Sequence, residues 1–312
     1  MIMITGGLGF IGANLAKYFL DQGERVLLTS HRNSQVPSFL QNENGKSLRV
    51  QSCDMLDLDS LIRAIQEHKV KTIVHGATIY LPTENYHRVF QVNVGGTMNV
   101  MEASMSMGVQ RVTIISSRAV YTGSIFTDPV PEMEDISIHA SNYIQVTKKA
   151  NEILVLYYRR NLGMDVKLLR VARVYGPLSG SAIHPVRQMV ESVVNRIPVE
   201  IHHSPEEKND FIYIKDCIRG IGMIHLAPHP QHYIYNVGAG QISLLSDFAS
   251  VIKKIIPEAQ INFAHSPQHS DDLRLEAPID IKRISKKFDY VPEYDIEKGL
   301  IDYIRWLRDG IY

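Results

Sequence analysis

Cysteine is scarce in this chain. Its two thiols among 312 residues, Cys53 and Cys217, lie far apart with no ligand-type spacing. That excludes a disulfide framework and sets the expectation of a reducing, cytoplasmic compartment. Net charge is missing too, with 33 basic and 33 acidic side chains. No electrostatic footprint for nucleic acid or an anionic membrane follows from that balance. No apolar run reaches the roughly 20 residues needed to cross a bilayer. Met1-Ile2-Met3-Ile4 is apolar, but glycines follow at once and no basic stretch precedes it, so no leader peptide is expected. Low-complexity segments and internal repeats are absent. His202 and His203 are adjacent, and neighbours on a strand point to opposite faces, so no metal site is expected.

What is present is the composition of a soluble enzyme, 45% apolar and 21% charged. Short apolar runs at residues 1–5, 25–29, 48–51, 72–75, 112–116 and 166–170 alternate with helical patterns at 12–22, 58–68, 86–107 and 142–162. Such alternation predicts an α/β fold, a Rossmann-type doubly wound parallel sheet. After residue 174 prolines break the rhythm. A strand at 211–214 and a helix at 215–227 return to the pattern, and helices follow near 244–256, 280–288 and 295–307. The expected division is a dinucleotide-binding domain over 1–174 with 208–230 returning to it. A smaller substrate-binding lobe takes 175–207 and 231–312.

Thr5-Gly6-Gly7-Leu8-Gly9-Phe10-Ile11-Gly12 stands between a predicted strand and a predicted helix. Glycines there let the chain turn tightly and bring backbone N–H groups to a diphosphate, with the helix dipole assisting. Gly6, Gly9 and Gly12, with Phe10 and Ile11 opening the helix, are therefore candidate cofactor residues. An NAD site commonly carries an acid at the end of the second strand. Here that strand end reads Ser30-His31-Arg32. Ser30 does not repel a 2′-phosphate and Arg32 can pair with one, His31 assisting, so these residues lean towards NADP over NAD.

Further motifs resemble the extended branch of the short-chain dehydrogenase/reductase superfamily, the NAD-dependent epimerase/dehydratase group, over nearly the whole chain. They are the glycine turn, Asp54-Met55, Val74-His75-Gly76-Ala77-Thr78, Asn93-Val94-Gly95-Gly96-Thr97, Ile115-Ser116-Ser117-Arg118-Ala119-Val120-Tyr121, Arg170-Val171-Ala172-Arg173-Val174-Tyr175-Gly176-Pro177 and Asp210-Phe211-Ile212-Tyr213-Ile214-Lys215-Asp216. The resemblance implies cofactor contacts from Asp54, Met55, Ala77, Asn93, Val171 and Val174. It also implies a catalytic Ser, which Ser117 matches, and a Tyr followed four residues later by a Lys. In that chemistry the Lys holds the nicotinamide ribose and lowers the Tyr pKa, the Tyr moves a proton, and the Ser binds the reacting oxygen.

The helix that should carry the pair reads Asn142-Tyr143-Ile144-Gln145-Val146-Thr147-Lys148-Lys149-Ala150-Asn151-Glu152. Lys148 matches the family's Lys in both the cofactor and the catalytic role, but four residues earlier stands Ile144. Tyr143, the candidate base, is five away. Five residues turn a regular helix by about 500°, so the two side chains miss each other's face by about 140°. A π-bulge would realign them. A non-helical entry would let Tyr143 swing in. Failing both, the ordinary base is missing and Tyr80, Tyr121 or a histidine would have to serve. Lys149 reads as a solvated neighbour.

Nucleotide-sugar members carry an Arg before the Asp-Phe pair and another before a later Gly-Asp, which clamp the substrate diphosphate. Asn209 holds the first position. Gln268-His269-Ser270-Asp271-Asp272-Leu273-Arg274 covers the second. The expected substrate is thus a small sugar-like or polyketide-like molecule other than a nucleotide diphosphate sugar. His184, Arg187, His202 and His203 either recognise another anion or line a wet surface. The main expectation is an NAD(P)-dependent oxidoreductase or epimerase/dehydratase. The alternatives are a redox-neutral lyase or isomerase that keeps the cofactor, and a non-enzymatic cofactor-binding module. The family's pairing of two helices into a dimer interface gives Met98, Met101, Met105 and Met107 two readings, a homodimer surface or plain core packing.

Overall fold

A computed structural model describes residues 1–31, 35–80, 85–133, 135–179, 184–264 and 276–310. Seven parallel strands form its sheet: β1 (Ile2–Thr5), β2 (Val26–Ser30), β3 (Leu48–Ser52), β4 (Thr72–His75), β5 (Arg111–Ser117), β6 (Val166–Val171) and β7 (Ile234–Val237). Their spatial order is β7-β6-β5-β4-β1-β2-β3. The order reverses beside β1, which opens a crevice at the carboxyl ends of β1 and β4, where open α/β sheets bind ligands.

Side-chain alternation explains the two layers. Ile2, Ile4, Val26 and Leu28 join one core and Met3 and Leu27 the other, so each strand is apolar on both faces. Helices α1 (Phe10–Asp21), α2 (Leu58–His68), α3 (Tyr86–Phe90), α4 (Gly96–Ser106) and α5 (Tyr143–Leu162) follow the strands. Between α3 and α4, residues Gln91–Gly95 form a π-helical turn. Helix α6 (Pro185–Val194) follows, and α7 (Ile214–Leu226) packs beside α1. Then come α8 (Leu245–Ile255), α9 (Lys282–Phe288) and α10 (Ile296–Asp309). None of the described helices is long and apolar enough to cross a membrane.

Two expectations about the lobe boundary change. Residues 234–237, placed in the smaller lobe by sequence, form the edge strand β7. Its register Ile234↔Leu168 to Val237↔Val171 buries all four residues. The strand Phe211–Tyr213 does not enter the main sheet. It pairs in parallel with Arg173–Tyr175 as a separate ribbon. Both are short segments whose partner is decided by distant packing, not by local pattern.

Inside the sheet lies one ion pair that water does not reach. Arg170 on β6 and Glu152 on α5 have 0% and 1% side-chain exposure, with Nη2 to Oε2 at 2.6 Å. Ser116 on β5 donates to Glu152 Oε1 at 2.5 Å, and Arg170 Nη1 donates to Met133 O. The guanidinium also stacks over the Tyr121 ring, 4.7 Å from its centroid. Removing one partner of such a pair leaves an uncompensated buried charge. Glu152→Gln is expected to cost about 3–5 kcal/mol, read as a drop in the urea midpoint. An unchanged midpoint would show that the pair is not a structural anchor.

Candidate active site

The glycine turn packs backbone against backbone. Gly6 has φ +65, and a Cβ there would meet Ala77 Cα at 2.9 Å. At Gly12 a Cβ would stand 2.4 Å from Gly6 O and 2.8 Å from Gly7 Cα. Gly9 is the N-cap of α1, and no side chain caps that helix. Its first-turn N–H groups, from Phe10, Ile11 and Gly12, are thus left for an anion, which fits a dinucleotide diphosphate.

A buried polar chain supports the turn. The Thr5 hydroxyl accepts from Gly76 and Ala77 N–H at 3.2 and 3.3 Å. It meets His75 Nδ1 at 2.6 Å, while His75 Nε2 meets Thr97 Oγ1 at 3.0 Å. Burial, then the charge of Lys148, pushes His75 down to about 3, so it is a neutral spacer. Asn93, in the π turn, gives its amide to Ile79, accepting from N–H at 2.8 Å and donating to O at 3.1 Å. It positions the segment through Ala77 that was expected to pass the cofactor.

At the adenosine end, Ser30 closes β2 and His31 follows, its Nδ1 3.6 Å from Asp54 Oδ2. Asp54 Oδ1 accepts from Leu56 N–H at 3.0 Å, and Met55 is buried behind it. Arg32, on which the NADP reading leaned, lies outside the described residues, as do residues 268–274.

At the carboxyl end of β5, Ser117 caps the short helical turn Arg118–Tyr121 and accepts from Ala119 N–H at 3.2 Å. Lys148 reaches the same strand end. Its Nζ donates to Ile115 O at 2.8 Å and to Thr78 Oγ1 at 3.3 Å. Burial of the ammonium pulls its pKa down to about 8, the Glu152 carboxylate working the other way.

The structure does not bring Tyr143 to this pair. Helix α5 is α-helical from Tyr143 onward, with Asn142 as its cap bonding Gln145 N–H. Neither repair anticipated from sequence is therefore present in α5, and the π turn belongs to the neighbouring Asn93 segment. The Tyr143 ring stacks on Tyr86, centroids 4.9 Å apart, and among the described residues its hydroxyl bonds neither Lys148 nor Ser117. Ile144, Lys148 and Glu152, spaced by four, share one helix face. Tyr121 is no substitute, because its hydroxyl is spent on Asn236 at 2.7 Å and burial pushes its pKa up to about 12. Lys149 is not solvated. Its Nζ donates to Thr122 O at 2.8 Å, Ser137 O at 2.7 Å and His139 O, pinning that loop to the helix.

Val171 closes β6, and Val174 lies on the ribbon strand Arg173–Tyr175. There Arg173 pairs with Glu207, which also accepts from His203 Nδ1 at 2.8 Å. Burial works against Glu207 ionising, but His203 and Arg173 hold it down to about 2. Arg187 is tied to Glu191 at 2.7 Å and to Ser179 O. His184 stands at the N-cap of α6, and among the described residues neither of its ring nitrogens, both buried, has a hydrogen-bond partner. Sequence reasoning missed Arg118, 7% exposed, which donates to Asn209 Oδ1 and to Ala277 O at 2.8 Å. The available signal was a cation at a strand end directly after the candidate serine.

The model of the NAD dependent epimerase/dehydratase family matches residues 2–238. The chain belongs to that family and is an enzyme of its kind. The UDP-glucuronate 4-epimerase of Thermodesulfobacterium geofontis is 25% identical over 323 residues, covering 99% of this chain and 96% of its own. Among solved structures, UDP-glucose 4-epimerase of Thermotoga maritima, with UDP-glucose, superposes with TM-score 0.85 at 20% identity over 100% of this chain and 99% of its own. The dTDP-glucose 4,6-dehydratase of Bacillus anthracis, in complex with NAD, gives 0.84 at 18% identity over 99% and 96%. These relatives correct the expectation about substrate. Proteins similar along their whole length are named for nucleotide diphosphate sugars, so the missing arginine at position 209 is no argument against that class.

Proposed function

We propose that this enzyme uses NAD to transform a nucleoside diphosphate sugar at a hydroxyl-bearing ring carbon, by epimerisation or dehydration. The observation that carries the reading is Lys148 Nζ bonded to Ile115 O, two residues before Ser117 on β5, and to Thr78, next to the Ala77 that packs on the glycine turn. The names of the full-length relatives supply the substrate class. Bound nicotinamide would supply the hydride acceptor and donor. Ser117 hydrogen-bonds the reacting oxygen and Lys148 holds the ribose. Ile144 stands one turn before Lys148 where the family's tyrosine would be, so proton transfer falls to the Lys148 amine. Ser30 carries no charge to repel a 2′-phosphate, so NADP is tolerated in place of NAD.

The test is turnover of UDP-glucuronate and UDP-glucose by the NAD-loaded chain, followed by NMR of the sugar. The base is the neutral amine, so kcat should rise as pH climbs through about 8. Lys148→Met should lose about 100-fold or more, whereas Tyr143→Phe should stay within about threefold of the parent. A hundredfold loss in Tyr143→Phe would make Tyr143 the base after all. Failure to turn over or bind any nucleotide sugar would remove the substrate reading.

Two copies pair, in the same proposal, through α4 and α5. Met98 and Met105 are exposed there, as are Ile153 and Tyr157, whereas Met101 is in the core and Met107 packs against it. Ile153, 66% exposed on α5, is the residue to charge. Light scattering should give a dimer for the parent and a monomer for Ile153→Glu. A monomeric parent would refute the pairing.

A further inference from the structure

Arg118 starts at the carboxyl end of β5 and reaches across to residues 209 and 277. It follows Ser117 directly where β5 gives way to a helical turn. Its guanidinium lies on the side-chain oxygen of Asn209 and on the carbonyl of Ala277. Burial pulls its pKa down to about 10 while Asp210 opposes that pull. It therefore stays a cation at neutral pH. Asp210 is itself committed to backbone N–H groups, those of Ala239 at 2.9 Å, Ile279 at 3.2 Å and Gly240 at 3.3 Å. It holds two segments of the smaller lobe beside the guanidinium.

The neighbouring wall is built for a polar guest as well. Arg173 lies within the electrostatic reach of both Arg118 and His184. Burial, then the Arg173 charge, pushes His184 down to about 3, so it presents a neutral imidazole, one nitrogen a donor and the other an acceptor. A buried imidazole with both nitrogens unbonded is costly, and a ligand that satisfies them removes the cost. The imidazole also stands at the N-terminus of the ten-residue helix α6.

A diphosphate entering this cleft brings two negative charges that need cations or oriented N–H groups at close range. Position 209 itself offers only an amide, and the structure sets a guanidinium on that amide. We propose that Arg118 clamps the diphosphate of the nucleotide sugar, delivering from the catalytic strand the cation that position 209 lacks. This rests on the substrate class proposed above. Asn209 then orients the guanidinium instead of replacing it. The grip on the nucleotide half of the substrate and the placement of the sugar hydroxyl become adjacent duties of Arg118 and Ser117.

The experiment compares uridine 5′-diphosphate with uridine on the NAD-loaded, full-length chain, by calorimetry for the first and ligand-observed NMR for the second. Arg118→Gln should weaken the diphosphate by at least about tenfold, as losing a charge-assisted hydrogen bond does, and leave uridine unchanged. Moving the cation back, in the double variant Arg118→Gln with Asn209→Arg, should restore diphosphate affinity to within about threefold of the parent. The double variant also decides the matter if Arg118→Gln alone fails to fold. Undiminished diphosphate binding in Arg118→Gln overturns the proposal. So does a folded double variant that binds uridine but not the diphosphate. A parent that binds neither ligand overturns the substrate class itself, an outcome distinct from the other two.

Discussion

The ion pair between Arg170 and Glu152 fixes where helix α5 lies against the sheet. Its two ends sit on β6 and α5, and Ser116 of β5 bonds the same carboxylate. A helix held this way cannot slide or rotate by one residue without stranding a buried charge. Glu152 therefore sets the register of everything on its face. Lys148 comes one turn earlier and reaches β5, and Ile144 comes one turn before that. Tyr143 falls to the side, where Tyr86 receives its ring. The absence of the usual Tyr–Lys contact is thus a consequence of a well-anchored helix, not of a loose one.

Much of the fold was legible because it follows from local rules. Residues 58–68 read as a helix on periodicity alone and form α2 with those bounds. The glycine turn was legible because no other residue fits at Gly12, where a Cβ would meet a carbonyl oxygen. The edge strand β7 was not legible, since Ile234-Tyr235-Asn236-Val237 gains strand character only by pairing with β6. Lys149 was misjudged for a related reason. Its carbonyl partners lie 10 to 27 residues away along the chain, in a loop without periodic pattern. The helical irregularity anticipated in α5 is absent, and the π-helical turn lies at Gln91–Gly95, a segment whose sequence carried no such signal.

The substrate expectation is overturned by full-length relatives named for nucleotide diphosphate sugars. It judged a phosphate clamp by which residue occupies a position along the chain. A clamp is defined in space, and a long side chain such as arginine can be supplied from another element. Here Arg118 spans from β5 to Asn209 across 91 residues of sequence. Asn236 of β7 likewise joins distant segments, its amide donating to Val130 O at 3.0 Å and Asp280 O at 3.1 Å. Electrostatics within that wall is arranged by neighbours. Glu207 is kept ionised by Arg173 and His203, while His184 is kept neutral.

The most direct measurement is a crystal structure of the chain with NAD and a nucleoside diphosphate sugar bound, read at the nicotinamide. The account predicts Ile144 beside the ring, Lys148 on the ribose, Ser117 on the sugar oxygen and the Tyr143 ring still against Tyr86. A Tyr143 hydroxyl within about 3 Å of the Ser117 hydroxyl or the sugar oxygen would contradict it. That result would mean that ligand binding reshapes the start of α5 despite the Glu152 anchor.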